Sequence, residues 1–301
     1  MKHIITINDY TKEIVGKILT RAAQLKKNGF EPTLQNKLAA TLFYEPSTRT
    51  RLSFETAVLR AHGRVISAGD THLMSVAKGE TLEDTIRVIS GYVDAIVMRH
   101  PEAGSAARAA AVSRVPIINA GDGAHAHPTQ TLLDLFTIQE VLSRLDHFSI
   151  AMVGDLKYSR VYHSLAQVLT WYTDVKQYWI SPAQLSMPDD IRTYVREHGG
   201  NIVELNDYHD IISDVDVLIM TRVQQERFTD RTEYERLKGA CILQPQDLKN
   251  AKSTLKVLSP LPRTVELPIS MDETPHAYYF QQAANGVPVR TALLEYVFDL
   301  L

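Results

Sequence analysis

The sequence predicts an α/β protein built from two doubly wound parallel-sheet domains. Two observations carry this prediction. First, short and nearly continuous apolar runs alternate with amphipathic stretches along most of the chain, as expected of strands buried on both faces and covered by helices. Second, the 301 residues are enough for two ordinary domains. The runs read as strands are 39–44 (AATLFY), 94–98 (DAIVM), 115–119 (VPIIN), 148–154 (FSIAMVG), 216–220 (DVLIM) and 255–259 (LKVLS). Helical periodicity lies between them, in the stripe Phe54, Ala57, Val58, Ala61 and in Leu132, Leu135, Phe136. One long helix is read from Pro128 to Leu145, with the domain junction inside or near it, and a last helix from about Val289 to Leu301.

Composition narrows the function classes. Hydrophobic residues make up 45% and charged residues 22%, which suits a soluble protein with a sizeable core. The net charge of -3 leaves no basic footprint for nucleic acid or a membrane surface, so any anion site must be built locally. The single cysteine, Cys241, lies among Ala240, Ile242 and Leu243 and reads as a buried core thiol. The N-terminal MKHIITINDYTKE has no long apolar stretch, so no signal peptide is expected and the expected compartment is the cytoplasm. No repeat or low-complexity segment is present.

Open parallel sheets bind ligands at the carboxyl ends of their strands. The first strand is followed by Glu45-Pro46-Ser47-Thr48-Arg49-Thr50. Pro46 stops the strand, and Ser47 or Thr48 is placed to cap the next helix. A helix N-terminus with extra hydroxyls and a guanidinium is suited to phosphate. The second strand ends at Arg99-His100-Pro101. The third runs into Gly121-Asp122-Gly123-Ala124-His125-Ala126-His127-Pro128-Thr129-Gln130. Gly121, Gly123 and Ala126 formally fit a dinucleotide fingerprint, but the helix opens at Pro128, a preferred first helical position, and NAD ranks low. The loop instead delivers His127 and Gln130 to a helix start.

The remaining strands end similarly. Asp155-Leu156-Lys157-Tyr158-Ser159-Arg160 follows the fourth, and Thr221-Arg222-Val223-Gln224-Gln225-Glu226-Arg227 the fifth. The sixth leads into Pro260-Leu261-Pro262-Arg263, where Leu261-Pro262 is a candidate cis bond that would aim backbone carbonyls at a ligand. Four guanidiniums, Arg49, Arg99, Arg160 and Arg222, share this edge. No acidic pair for hydrolysis, metal-ligand cluster or nucleophile motif accompanies them. The pattern points to a polyanionic substrate set handled by positioning and charge stabilisation, with no metal and no cofactor.

Several segments in order carry a resemblance: FYEPSTRTRLSFETA, SVAKGETLEDT, VMRHPEAGSAAR, NAGDGAHAHPTQTLLDLFTI, GDLKYSR, MTRVQQERF, SPLPR and PHAYYFQQAANGVPVRTALL. Over essentially its whole length the chain resembles the catalytic chains of aspartate carbamoyltransferases. The resemblance implies a carbamoyl-phosphate-binding domain at 1–134, on which a C-terminal helix of about 286–301 packs back, and an aspartate-binding domain at 135–285. It implies an active site in the cleft between them. The implied reaction moves the carbamoyl group of carbamoyl phosphate to the α-amine of L-aspartate, within pyrimidine biosynthesis.

The same resemblance assigns roles. Ser47, Thr48, Arg49 and Thr50 would cradle phosphate. Thr50, Arg99 and His127 would polarise the carbamoyl carbonyl. Gln130 and the backbone carbonyls of Leu261 and Pro260, set by the turn at Pro262, would hold the amide. Lys78, Arg160, Arg222 and Gln224 would read the aspartate carboxylates. Ser75 and Lys78 would come from a neighbouring subunit of a homotrimer, which regulatory chains could join in a larger assembly. Apart from the resemblance, Glu45 is expected to pair with Arg160 or Arg227 on domain closure, since two guanidiniums sequestered at a cleft would otherwise repel, and Arg51 is expected to point away from substrate.

Two positions depart from the family pattern. Ser159 stands where Gly is usual, and a Gly needed for positive φ would be strained as Ser. Ser259 stands where His is usual. The rival readings are an ornithine carbamoyltransferase and a catalytically silent paralogue. The first lacks its cysteine signature here, since the segment reads Ser259-Pro260-Leu261-Pro262. Arg222 with Gln224 also suits a carboxylate better than a cationic side chain. Intact Arg49, Thr50, Arg99, His127 and Arg222 argue against the second.

Overall fold

The computed structural model describes residues 1–69 and 75–301, apart from the side chains of Ser75 and Val76. In chain order the elements are α1 (Lys12–Asn28), β1 (Leu38–Phe43), α2 (Thr48–Arg60), β2 (Arg64–Ala68), α3 (Leu82–Ile89), β3 (Ala95–His100), α4 (Ser105–Val112), β4 (Ile117–Asp122) and α5 (Pro128–Leu142). They continue with β5 (Phe148–Gly154), α6 (Arg160–Val168), β6 (Val175–Ile180), α7 (Asp189–Glu197), β7 (Asn201–Leu205), β8 (Val217–Thr221), α8 (Arg231–Leu237), β9 (Lys256–Leu258) and α9 (Tyr279–Val297). Contacts divide the chain into two units: Met1–Phe136 with Ala284–Leu301, and Thr137–Ala283.

The first unit holds a parallel sheet of order β2-β1-β3-β4. Alternate strand residues point to opposite faces. One face, with Ala40, Leu42, Ile96 and Met98, packs on Leu82 and Ile86 of α3 and Ala106 and Ala109 of α4. The residues between them, Ala39, Phe43, Ala95 and Val97, are buried too, so both faces are covered. The order reverses between β1 and β3, which makes their carboxyl ends the switch point of this sheet.

The second unit holds a parallel sheet of order β7-β6-β5-β8-β9. Its switch point lies between β5 and β8. There the backbones come so close that only glycine fits: Gly154 has φ +117, and a Cβ would stand 2.1 Å from the Thr221 carbonyl oxygen. The buried Tyr162 hydroxyl of α6 spans the same pair, 2.9 Å from the Val153 carbonyl and 2.7 Å from that of Ile219.

Three strands escape the reading of apolar runs. β2 and β7 are half-exposed edge strands, where one side needs no apolar residue. β6 is buried, yet Gln177 interrupts its pattern. That amide is satisfied internally, donating to the Ala166 carbonyl at 3.1 Å and accepting from Trp179 Nε1 at 3.1 Å. Two helix bounds also change. α5 stops at Leu142, short of the expected Leu145, and Ser143 beyond it has φ 58. α9 begins at Tyr279, about ten residues earlier than the periodicity suggests, because the helix continues through Pro288 instead of starting after it.

Candidate functional site

Three predicted site residues of the first unit, Glu45, Ser47 and Arg99, meet at its switch point. β1 and β3 are in register, with Phe43 opposite Arg99, and the Tyr44 N–H donates to the Arg99 carbonyl at 2.9 Å. This places the segment after β1 beside the Arg99 side chain. Arg99 Nε donates to Glu45 Oε1 at 2.7 Å, and Nη1 donates to Ser47 Oγ at 3.1 Å. One guanidinium thus joins two predicted residues across 52 and 54 positions of sequence.

Ser47 occupies the predicted cap position of α2, but its hydroxyl makes no bond to the helix. It is turned to Arg99, so the first-turn N–H groups receive no side-chain cap from it. The expected capping bond from Ser47 is therefore absent, and the helix end presents its positive dipole to an anion. Thr48 and Arg49 are exposed in that turn, and Thr50 is buried. Arg51 bonds Glu55 Oε1 one turn along at 2.9 Å. Glu55 also accepts from Thr41 and Ser67, so Arg51 belongs to a separate structural cluster.

His127 and Gln130 stand at the start of α5, as predicted. Both are buried, and the His127 carbonyl accepts the Gln130 N–H at 3.0 Å. Gln130 Nε2 donates to Asp134 Oδ1 at 2.8 Å, which fixes the amide and leaves Oε1 as the acceptor end. The loop before them is anchored on Asp122, which accepts from Gly104 N, Asn119 Nδ2 and Ala126 N. Burial would raise this carboxyl, but its bonds to His125 and Asn119 outweigh that and hold it low. Gly123, at φ +53, closes the turn with its N–H on the His100 carbonyl. This glycine pattern serves a turn and is followed by no helix until Pro128. Lys78 is exposed in a short 3-10 helix, Ser75–Lys78. The Ser75 side chain lies outside the described residues.

The second unit shows the same logic at the β5/β8 switch. Arg160 is buried at the first position of α6. Arg222, half-buried after β8, makes a two-pronged ion pair with Glu226. Glu226 escaped the sequence reading because it sits among charged loop residues with no pattern of its own. Gln224 and Arg227 follow in the same loop, the Arg227 N–H bonding the Gln224 carbonyl at 2.9 Å.

Asp155 reads in the sequence as merely another charged strand end. It is fully buried. Its Oδ1 accepts the Tyr158 N–H at 2.9 Å, and its Oδ2 accepts the Gln224 N–H at 3.2 Å. One carboxyl therefore ties the loop after β5 to the loop after β8. Burial pushes it up to about 6, against the pull of the Tyr158, Gln224 and Lys157 amides.

The two departures from the expected pattern have structural answers. Ser159 has φ -81, so no positive φ is required and the expected strain is absent. The Ser259 hydroxyl accepts the Leu261 N–H at 3.1 Å, and the Ser259 N–H donates to Gln282 Oε1 at 2.8 Å. Ser259 therefore supports the turn in which Leu261 has φ 54 and the Leu261-Pro262 peptide is cis. Cys241 is buried, and burial raises its thiol to about 11, in keeping with a core role.

Two doubly wound α/β units, each with guanidiniums following the strands of its switch point, define a protein class suited by its chemistry to anionic small molecules. Comparison with known proteins specifies the family. Residues 2–140 match the aspartate/ornithine carbamoyltransferase carbamoyl-P binding domain, and residues 146–297 match the Asp/Orn binding domain of the same family. The aspartate carbamoyltransferase catalytic subunit of Chromobacterium violaceum is 50% identical over 298 residues, covering 99% of this chain and 98% of the relative. The catalytic subunit of M. jannaschii aspartate transcarbamoylase superposes with a TM-score of 0.91 at 46% identity, covering 99% of this chain and 98% of that one. The Trypanosoma cruzi aspartate transcarbamoylase in complex with carbamoyl phosphate and aspartate gives 0.91 at 34% identity, covering 97% and 95%. The chain belongs to the aspartate/ornithine carbamoyltransferase family.

Proposed function

We propose that this protein is an aspartate carbamoyltransferase. It transfers the carbamoyl group of carbamoyl phosphate to the α-amine of L-aspartate, giving N-carbamoyl-L-aspartate and phosphate, a step of pyrimidine biosynthesis. The observation that carries the reading is the Glu45–Arg99–Ser47 junction beside the start of α2, on a chain about half identical to aspartate carbamoyltransferase catalytic subunits along its length.

In this reading the phosphate lies at the N-terminus of α2, held by Ser47, Thr48, Arg49 and Thr50. Thr50, Arg99 and His127 donate to the carbamoyl oxygen. Gln130 Oε1 and the carbonyls around Pro260, Leu261 and Pro262 accept from the carbamoyl amide. Arg160, Arg222 and Gln224 hold the aspartate carboxylates. The amine nitrogen bonds to the carbamoyl carbon and the bond from that carbon to the phosphate oxygen breaks. The amine proton leaves with the phosphate. Charge grows on the carbonyl oxygen during attack, so loss of one donor there costs roughly 100- to 1,000-fold in rate. No covalent intermediate is needed.

The proposed assembly is a cytoplasmic homotrimer in which Ser75 and Lys78 complete a neighbour's site, with regulatory chains as further partners. Among the described residues no helix is long and apolar enough to cross a membrane. The deciding experiment is a colorimetric assay for carbamoylated product, run with aspartate and with ornithine. Product with aspartate alone is expected. Product with ornithine would reassign the acceptor, and product with neither would overturn the enzymatic reading.

A further inference from the structure

We propose that Arg290 and Ser53 form a positioning chain through which the C-terminal helix sets the first turn of α2. The proposal rests on the reading of that turn as the phosphate socket.

Ser53 Oγ lies 2.6 Å from the Arg49 carbonyl oxygen and 3.0 Å from that of Thr50. It also receives Arg290 Nη1 at 2.6 Å. The hydroxyl has one proton, which goes to the two carbonyls, and its lone pair takes the guanidinium. Direction is therefore fixed along the chain: Arg290 donates to Ser53, and Ser53 donates to Arg49 and Thr50. Back-bonding of a serine to carbonyls three and four residues earlier shapes the local helical turn. Here the turn is the one carrying the predicted phosphate and carbonyl contacts.

Arg290 has no simple packing rationale. It is 3% exposed, and burial pulls its guanidinium down to about 10, opposed by attraction to Asp134. Its Cζ lies 5.0 Å over the Phe54 ring. Gly286, one turn earlier on α9, leaves its space: a Cβ there would stand 2.3 Å from Arg290 Nη1. Filling this volume with an apolar side chain would avoid burying a charge, and such replacements are often neutral or stabilising. What the charge adds is a fixed donor aimed at Ser53. Asp134, which attracts it, is also the carboxylate that fixes the Gln130 amide.

The test compares Ser53→Ala, Arg290→Met and the double variant with the wild type. Steady-state parameters for both substrates, and inhibition by inorganic phosphate against carbamoyl phosphate, are measured alongside thermal unfolding. Misplacement of about 1 Å costs up to roughly 100-fold. Ser53→Ala is therefore expected to raise the carbamoyl phosphate KM and the phosphate inhibition constant roughly tenfold, with the aspartate KM within about twofold. Arg290→Met should shift in the same direction, and the double variant should be no worse than the worse single, because both cut one chain.

A folded Ser53→Ala enzyme with both phosphate-site constants within about twofold of wild type would overturn the proposal, as would additive effects in the double variant. Ser53→Ala removes only a hydroxyl, so it decides the matter even where Arg290→Met does not fold. A wild type that makes no product with either amine would instead overturn the activity reading. Calorimetric titration of wild type and Ser53→Ala with inorganic phosphate would then still test the chain.

Discussion

Glu45 Oε1 and Arg99 Nε are 2.7 Å apart, and both side chains are largely withdrawn from solvent. The pair aims the guanidinium that the proposed mechanism points at the carbamoyl oxygen. A hydrogen bond to a charged group is worth about 1.5–3 kcal/mol, so Glu45→Gln should lower kcat/KM at least roughly tenfold. Which substrate is affected separates two roles. Aiming Arg99 alone would move the carbamoyl phosphate parameters. For the expected pairing with Arg160 or Arg227 on closure, loss of the carboxylate would also raise the aspartate KM. Unchanged kinetics would remove Glu45 from both.

Asp155 gives a prediction in pH. Its folded pKa is raised from 3.8 to about 6, chiefly by burial. The folded state therefore binds more protons than the unfolded state between these values, and stability falls as pH rises through that window. Charging Asp155 costs about 3 kcal/mol relative to the unfolded chain. Asp155→Asn should lack this loss, gaining stability relative to wild type from pH 4 to pH 6 and holding the gain above. It should lose activity with aspartate, since the carboxylate links the loops after β5 and β8. Chemical denaturation of both proteins across this range checks the sign. A constant difference at all pH values would refute the assignment.

Ser159 tests backbone strain. With φ -81 the position has no need of glycine. Ser159→Gly should lower stability by about 0.4–1 kcal/mol through the added freedom of the unfolded chain. A rise in melting temperature would show strain that the backbone angles do not reveal.

The legible parts of this protein are the local ones. Strands buried on both faces must be apolar throughout, so β1, β3, β5 and β8 announce themselves, and the polar clusters that follow them mark the binding edge. β2 and β7 stay hidden because an edge strand is half solvated, and β6 because the polar Gln177 breaks its pattern and is satisfied only in the fold, by the Ala166 carbonyl of α6 and the neighbouring Trp179. Ser47 shows the same limit. Its position at the head of α2 follows from Pro46 and the helical stripe. Whether its hydroxyl caps the helix or meets Arg99 depends on two strands lying in register.

Residue types, their order and the donors available at each strand end are thus properties of the sequence. It also carries the family resemblance, since that rests on ordered motifs. Tertiary structure alone decided the pairings over long sequence distance: Glu45 with Arg99, Asp155 with Gln224, and Ser53 with Arg290. Each needs two segments brought within about 3 Å by a sheet or a packed helix, and a hydrogen bond at that range leaves no trace in local composition.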